Sequence, residues 1–295
     1  MNHELKEAIS DAIEGNTGCS FRIDDNQSKS GGCINSAYIV SDGAKKFFVK
    51  INSEDRHSMF GAESAALAEL ASADRIRVPK PICHGISVGI CYLVIEALDF
   101  GSAGSGSWEA MGQQLAQLHR KTAEQFGWHR DNVIGSTPQS NTRTQDCATF
   151  FRDPRLRPQF QLARQNGFHF EQAEKLLERV DDLLTGHSPA PSLLHGDLWS
   201  GNAGFLEDGT PVIYDPATYY GDRETDLAFS EFFGGFPGSF YRAYQQEWPL
   251  PPGYAQRKTL YNLYHALNHA NLFGGGYANQ AEGMIRSIVQ AMEVD

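Results

Sequence analysis

The 295-residue chain is poor in cysteine and has no long apolar run, and each shortage excludes a class of protein. Its five cysteines, Cys19, Cys33, Cys83, Cys91 and Cys147, are odd in number, scattered, and form no C-x-x-C pair. Neither a disulfide framework nor a zinc site is expected. No apolar stretch approaches the roughly 18 residues that suggest a membrane span, so no membrane partner is expected. Met1–Ser10 lacks the apolar core and basic flank of a signal peptide, which makes the cytoplasm the expected compartment. Cationic residues are also scarce: 25 Lys and Arg face 36 Asp and Glu, a net charge of −11. A general nucleic-acid binder would show the opposite balance, so that partner is not expected either.

What is present divides in two. Residues 5–14 have the spacing of an amphipathic helix, with Leu5, Ala8, Ile9, Ala12 and Ile13 on one face. Strand-like segments follow near 20–23, at 34–40 and at 46–51, the last two joined by the turn Ser41-Asp42-Gly43. A helix is expected over 58–72 and strands over 82–85 and 91–97. Residues 99–107 are the richest in glycine and serine, a natural hinge. Beyond it, helices are expected over 108–122, 170–184, 226–233, 254–273 and 278–292, with short strands at 192–194 and 212–214. The expected fold is α+β and bilobal. It has a small β-rich N-lobe (1–97), a hinge (98–107) and a larger, mainly helical C-lobe (108–295).

Four pieces of chemistry stand out, and they would have to meet. The loop Ser30-Gly31-Gly32-Cys33-Ile34-Asn35 carries glycines that let backbone N–H groups approach phosphate oxygens, although a plain turn is the alternative. Lys50 lies in the apolar strand Phe47-Phe48-Val49-Lys50-Ile51. It is either an edge lysine reaching solvent or a buried one that needs an anion. Glu63 falls in the inward stripe with Phe60, Leu67 and Leu70, and so is the expected partner. His195-Gly196-Asp197 is followed by Asn202, five residues after Asp197, the spacing of a kinase catalytic loop. In that loop the aspartate accepts the substrate hydroxyl proton and the asparagine binds Mg²⁺. Gly196 replaces the arginine of the protein-kinase triplet, which points to small-molecule acceptors. Asp215 ends the apolar strand of Pro211-Val212-Ile213-Tyr214 and is the expected second Mg²⁺ ligand, with ATP as the phosphate donor.

The segment from His195 to Asn202, the stretch Asp215-Pro216-Ala217-Thr218-Tyr219-Tyr220-Gly221-Asp222-Arg223-Glu224-Thr225-Asp226, and Leu260–His269 resemble the fructosamine-3-kinase (ketosamine-3-kinase) family. Ile134-Gly135-Ser136-Thr137-Pro138-Gln139-Ser140-Asn141 is similar to its middle segment. The resemblance implies a protein-kinase-like fold related to aminoglycoside phosphotransferases. It also implies ATP- and Mg²⁺-dependent phosphorylation of the sugar 3-hydroxyl of ketosamines, which promotes deglycation. On the same footing Asp197 is the base, Asn202 and Asp215 are the metal ligands, and Lys50 and Glu63 orient phosphate. Backbone groups of Glu96, Ala97 and Leu98 would face adenine. Trp199 is either a sugar platform or a core residue bracing the loop. Tyr219, Arg223, His265 and His269 are candidate substrate contacts, while His195 and Asp226 are expected to brace the loop. Cys147 stands where tryptophan is expected, which bears on local packing. Cys33 is a candidate redox switch.

Other readings stay open: an aminoglycoside, choline, homoserine or methylthioribose kinase of the same fold, or a catalytically silent ATP-binding protein. The acceptor could be a free or a protein-bound ketosamine, and the expected state is a monomer or weak dimer.

Overall fold

The computed structural model describes residues 1–29 and 34–294. The expected phosphate-loop residues Gly31, Gly32 and Cys33 lie outside them. In chain order come α1 (His3–Thr17), β1 (Asp25–Lys29), β2 (Ser36–Ser41), β3 (Lys46–Ser53), α2 (His57–Ala71), β4 (Pro81–Ser87), β5 (Ile90–Glu96), β6 (Phe100–Gly101) and α3 (Ser107–His119). Then follow β7 (Asn132–Ile134), β8 (Thr137–Gln139), α4 (Cys147–Phe150), a π-helical turn (Phe151–Leu156), α5 (Arg157–Gln165), α6 (Ala173–Glu178) and α7 (Val180–Leu183). The chain closes with β9 (Ser192–Leu194), β10 (Ala203–Leu206), β11 (Pro211–Ile213), β12 (Tyr219–Gly221), α8 (Glu224–Phe232), α9 (Gly238–Glu247), α10 (Tyr254–Phe273) and α11 (Gly276–Val294). These form two compact units: 1–107 with 203–216, and 108–202 with 217–295. Among the described residues no helix is long and apolar enough to cross a membrane.

The first unit is built on an antiparallel sheet of order β1-β2-β3-β5-β4. β3 is therefore flanked on both sides, and Val49 and Lys50 are buried in it. Helix α1 is capped by Asn2, whose Oδ1 accepts from the Leu5 N–H at 2.9 Å. It buries Leu5, Ile9 and Ile13 against Phe21, Val40, Val49 and Val94. No strand forms at 20–23: Phe21 is claimed by this core, and pairing starts at Asp25. The hinge expected over 98–107 is only partly a linker. Phe100 and Gly101 pair with Leu206 and Phe205 of β10, which in turn pairs with β11. A Cβ on Gly101 would meet the Cα of Glu207 at 2.8 Å, so only glycine permits this approach. Residues 203–216 thus belong to the first unit, not to the helical one in which the sequence placed them.

The second unit centres on α10, which buries Leu260–Asn268. The helix expected over 170–184 is broken at Arg179 into α6 and α7.

Candidate active site

In the first unit, sheet and helix converge on Lys50. Its ammonium lies 2.6 Å from Glu63 Oε1 and 2.7 Å from Asp215 Oδ1. Lys50 is 6% exposed and sits in a central strand, which excludes the edge-lysine reading. Burial alone would lower its pKa, but Asp215 and then Glu63 outweigh that cost and raise it, so the ammonium stays charged. Burial raises the Glu63 pKa, Lys50 opposes the rise, and Asp215 adds to it. Glu63 reaches Lys50 because Phe60, Leu67 and Leu70 fix that face of α2 in the core. The two carboxylates differ in access: the Glu63 side chain is 11% exposed and that of Asp215 is 47%. Asp215 also adopts φ +56°, a left-handed conformation costing about 1–3 kcal/mol that is tolerated where the surroundings enforce it. Pairing of β11 with β10 and of Val212 with Arg77 supplies that enforcement.

Glu96 uses its carboxylate on Arg77, at 2.5 Å, and on the Lys80 N–H, at 3.1 Å. Its own N–H donates to the Lys80 carbonyl. Ala97 and Leu98 follow, half-buried, past the end of β5. Asn35 accepts from Asn52 Nδ2 at 2.7 Å.

In the second unit the organising group is an anion. Asp226, 1% exposed, accepts from the N–H of His195 at 2.7 Å and of Gly196 at 2.8 Å. His119 Nε2 lies 3.2 Å away, and its Nδ1 is 2.8 Å from the Tyr244 hydroxyl. His195 is fully buried; its carbonyl accepts from the Ala217 N–H, and its Nδ1 accepts from the Asp197 N–H at 3.3 Å. Gly196 has φ +81°, and a Cβ there would stand 2.2 Å from the Ala217 carbonyl oxygen. Arginine therefore cannot occupy this position in this backbone.

Asn202 donates its amide hydrogens to the Asp197 carbonyl at 2.8 Å and to Asp197 Oδ2 at 2.9 Å. Both amide donors point at the aspartate, and Asn202 Oδ1 enters no hydrogen bond among the described residues. Trp199 is half-buried, edge-on to Phe233 at 5.6 Å, and its ring leaves no room for a Cβ at Gly201.

Three of the candidate substrate contacts are spent on the fold. Tyr219, 2% exposed, lies beneath the guanidinium of Arg155 at 3.9 Å. Arg223 donates to the carbonyls of Trp248 and Pro249 at 3.0 and 2.6 Å and stacks over the Trp248 ring at 3.9 Å. His265, 1% exposed, stacks on Phe229 with centroids 3.5 Å apart, and burial holds its pKa well below 6.5. His269 is different: it is partly exposed and 5.1 Å from the Phe233 ring.

Sequence reasoning missed the support beneath the loop. Gln139 donates to Asn132 Oδ1 at 2.8 Å and to the Ala217 carbonyl at 3.1 Å, and accepts from the Tyr264 hydroxyl at 2.7 Å. Asn132 donates to the Thr218 carbonyl at 2.8 Å. The β7–β8 hairpin thereby fixes the Ala217–Thr218 segment, whose Ala217 N–H donates to the His195 carbonyl. The only signal was the Ile134–Asn141 motif, whose role cannot be read from its letters. Cys147 is buried and packs its Sγ 4.0 Å from the Tyr261 hydroxyl. Among the described residues His187, Asp222 and Glu224 could together hold a metal. Tyr261 and His187 already engage Asp222, and Arg257 engages Glu224.

The chain resembles known proteins over most of its length. The fructosamine kinase family model matches residues 5–291. A Synechocystis protein assigned as a ketoamine kinase is 50% identical over 96% of this chain and 97% of its own. The chloroplastic protein-ribulosamine 3-kinase of Arabidopsis thaliana is 40% identical over 89% of this chain and 82% of its own. A crystal structure assigned to fructosamine-3-kinase from Haemophilus somnus superposes with a TM-score of 0.90 at 33% identity, covering 95% of this chain and 96% of that one. An aminoglycoside phosphotransferase, at TM-score 0.61 and 15% identity over 97% and 98%, shares the fold alone. The fold is thus protein-kinase-like, and the chain belongs to the fructosamine kinase family.

Proposed function

We propose that this chain transfers the γ-phosphoryl group of ATP to the 3-hydroxyl of the sugar moiety of ketosamines, fructosamine- or ribulosamine-type glycation adducts, and so promotes deglycation. The observation that carries the reading is the Asp197–Asn202 pair, in which the asparagine's donors fix the aspartate and its oxygen is left for another partner. Asp197 takes the proton of the sugar hydroxyl as that oxygen bonds to the γ-phosphorus and the bond to the ADP oxygen breaks. Lys50 spends two of its three ammonium hydrogens on Glu63 and Asp215, keeping one for a phosphate oxygen. Ala97 and Leu98 offer backbone groups to adenine. Asn202 Oδ1 and the half-exposed Asp215 carboxylate are hard oxygen donors that fit Mg²⁺, and they are the residues that would hold it. When bound, the ion neutralises phosphate charge. Trp199 is proposed to face the sugar, with His269 beyond it on the substrate side.

The test is a panel of fructosamines, ribulosamines and erythrulosamines, free and on protein lysines, with ADP release and sugar 3-phosphate formation measured together. Stoichiometric 3-phosphate on at least one ketosamine is expected. ADP release with no ketosamine phosphorylated, or turnover only on an aminoglycoside, would overturn the reading.

A further inference from the structure

The strip of aromatic rings that begins at Trp199 does not end at the loop. Phe233 meets Trp199 edge-on at 5.6 Å, and His269 follows at 5.1 Å from Phe233. Beyond His269 stand Phe273 at 5.7 Å and Tyr277 at 5.1 Å, themselves 6.4 Å apart. Gly274 and Gly275, with φ +65° and +60°, turn the chain sharply from α10 into α11 and bring these last two rings side by side. A cluster that only joined helix ends would be buried. Here Phe273 is 56% exposed, and the other four are half-exposed. A contiguous, partly exposed aromatic strip, unlike a lone exposed apolar residue, points to a ligand. The strip carries no carboxylate, and burial lowers the pKa of His269, which keeps it neutral at neutral pH.

We infer that Phe233, His269, Phe273 and Tyr277 form a subsite for the amine side of the substrate, selecting ketosamines whose amine bears an aromatic or apolar chain. This rests on the ketosamine reading above. Trp199 is two residues from Asp197 and its ring begins the strip. The proposed sugar site at the loop therefore adjoins the strip, and the amine substituent is inferred to run along it. The ring faces attract the secondary ammonium, and Phe273 and Tyr277 cover the chain beyond it.

The test compares two fructosamines of identical sugar, one made from methylamine and one from benzylamine. The readout is the ratio of their kcat/KM values, which is internal to each variant and so cancels any loss of folded enzyme. The wild type should favour the benzyl compound by about tenfold or more. Phe273→Ala and Tyr277→Ala should each bring that ratio towards one. Ile86→Ala, at an exposed site on β4, should keep it. A wild-type ratio near one, or a high ratio that both aromatic variants retain, overturns the subsite while leaving the reaction standing. If neither compound is phosphorylated, the reaction itself fails and the subsite with it.

Discussion

The two units each organise a cluster of candidate residues around one buried charge, but by opposite means. Lys50 holds side chains: its ammonium ties together carboxylates from a helix and from a strand end 165 residues away. Asp226 holds backbone: its carboxylate takes the two consecutive N–H groups that lead into Asp197. An ion-pair hub joins side chains and keeps one ammonium hydrogen unspent, so it can take on a further anion. A backbone clamp cannot rearrange, and it suits a residue that must meet a hydroxyl in one geometry. On the proposed function, the first unit would look after charge and the second after position.

Substitutions can break that contrast. Lys50→Met should have the largest effect on stability, because it strands Glu63 in the core; removing one partner of a buried pair costs about 3–5 kcal/mol. Adding Glu63→Leu should recover most of the stability and none of the turnover, as followed by denaturant melts and ADP release. If activity also returned, the hub would be structural only. Asp226→Ala leaves two buried N–H groups without an acceptor, at about 1–3 kcal/mol each. It should lower kcat while the KM for ATP stays near the wild-type value; a rise confined to that KM would contradict the division of labour. Gln139→Leu removes the donor to the Ala217 carbonyl, at about 1–3 kcal/mol, and should lower kcat less than Asp226→Ala does. An equal or larger loss would move the main support of the loop from the carboxylate to the hairpin.

The smallest effect concerns pH. The pKa of His265 is lowered by burial, so its contribution to stability is present above about pH 6.5 and is lost as pH falls towards the folded value. The unfolded chain takes up the proton there and the native one does not, giving a slope approaching about 1.4 kcal/mol per pH unit. His265→Phe should flatten that acid limb in melts between pH 7.5 and 5. An unchanged limb would place the titration elsewhere.

Much of this was legible in the sequence. Glu63 could be assigned to Lys50 because a 3.6-residue period fixes which face of α2 is buried. Asp197 and Asn202 could be paired because five residues is a loop-scale spacing. Long-range pairing was not legible. Nothing in Phe100-Gly101 says that it meets Phe205-Leu206, so a strand was taken for linker. Arg223 and Tyr219 share a motif with Asp226 and were grouped with the site, although their partners, Trp248, Pro249 and Arg155, lie far along the chain. The helical run at 147–165, which was not among the expected helices, is interrupted by a π-helical turn with Pro154 inside it.

The claim on which the rest depends is that Asp197 acts on the acceptor hydroxyl and not on the nucleotide. Its measurement is single-turnover phosphorylation of a ketosamine by Asp197→Asn, beside nucleotide binding by the same variant. The rate should fall by about 10²–10⁴-fold with the ATP dissociation constant near the wild-type value. A near-normal rate, or a collapse of ATP binding that explains the loss, would contradict it.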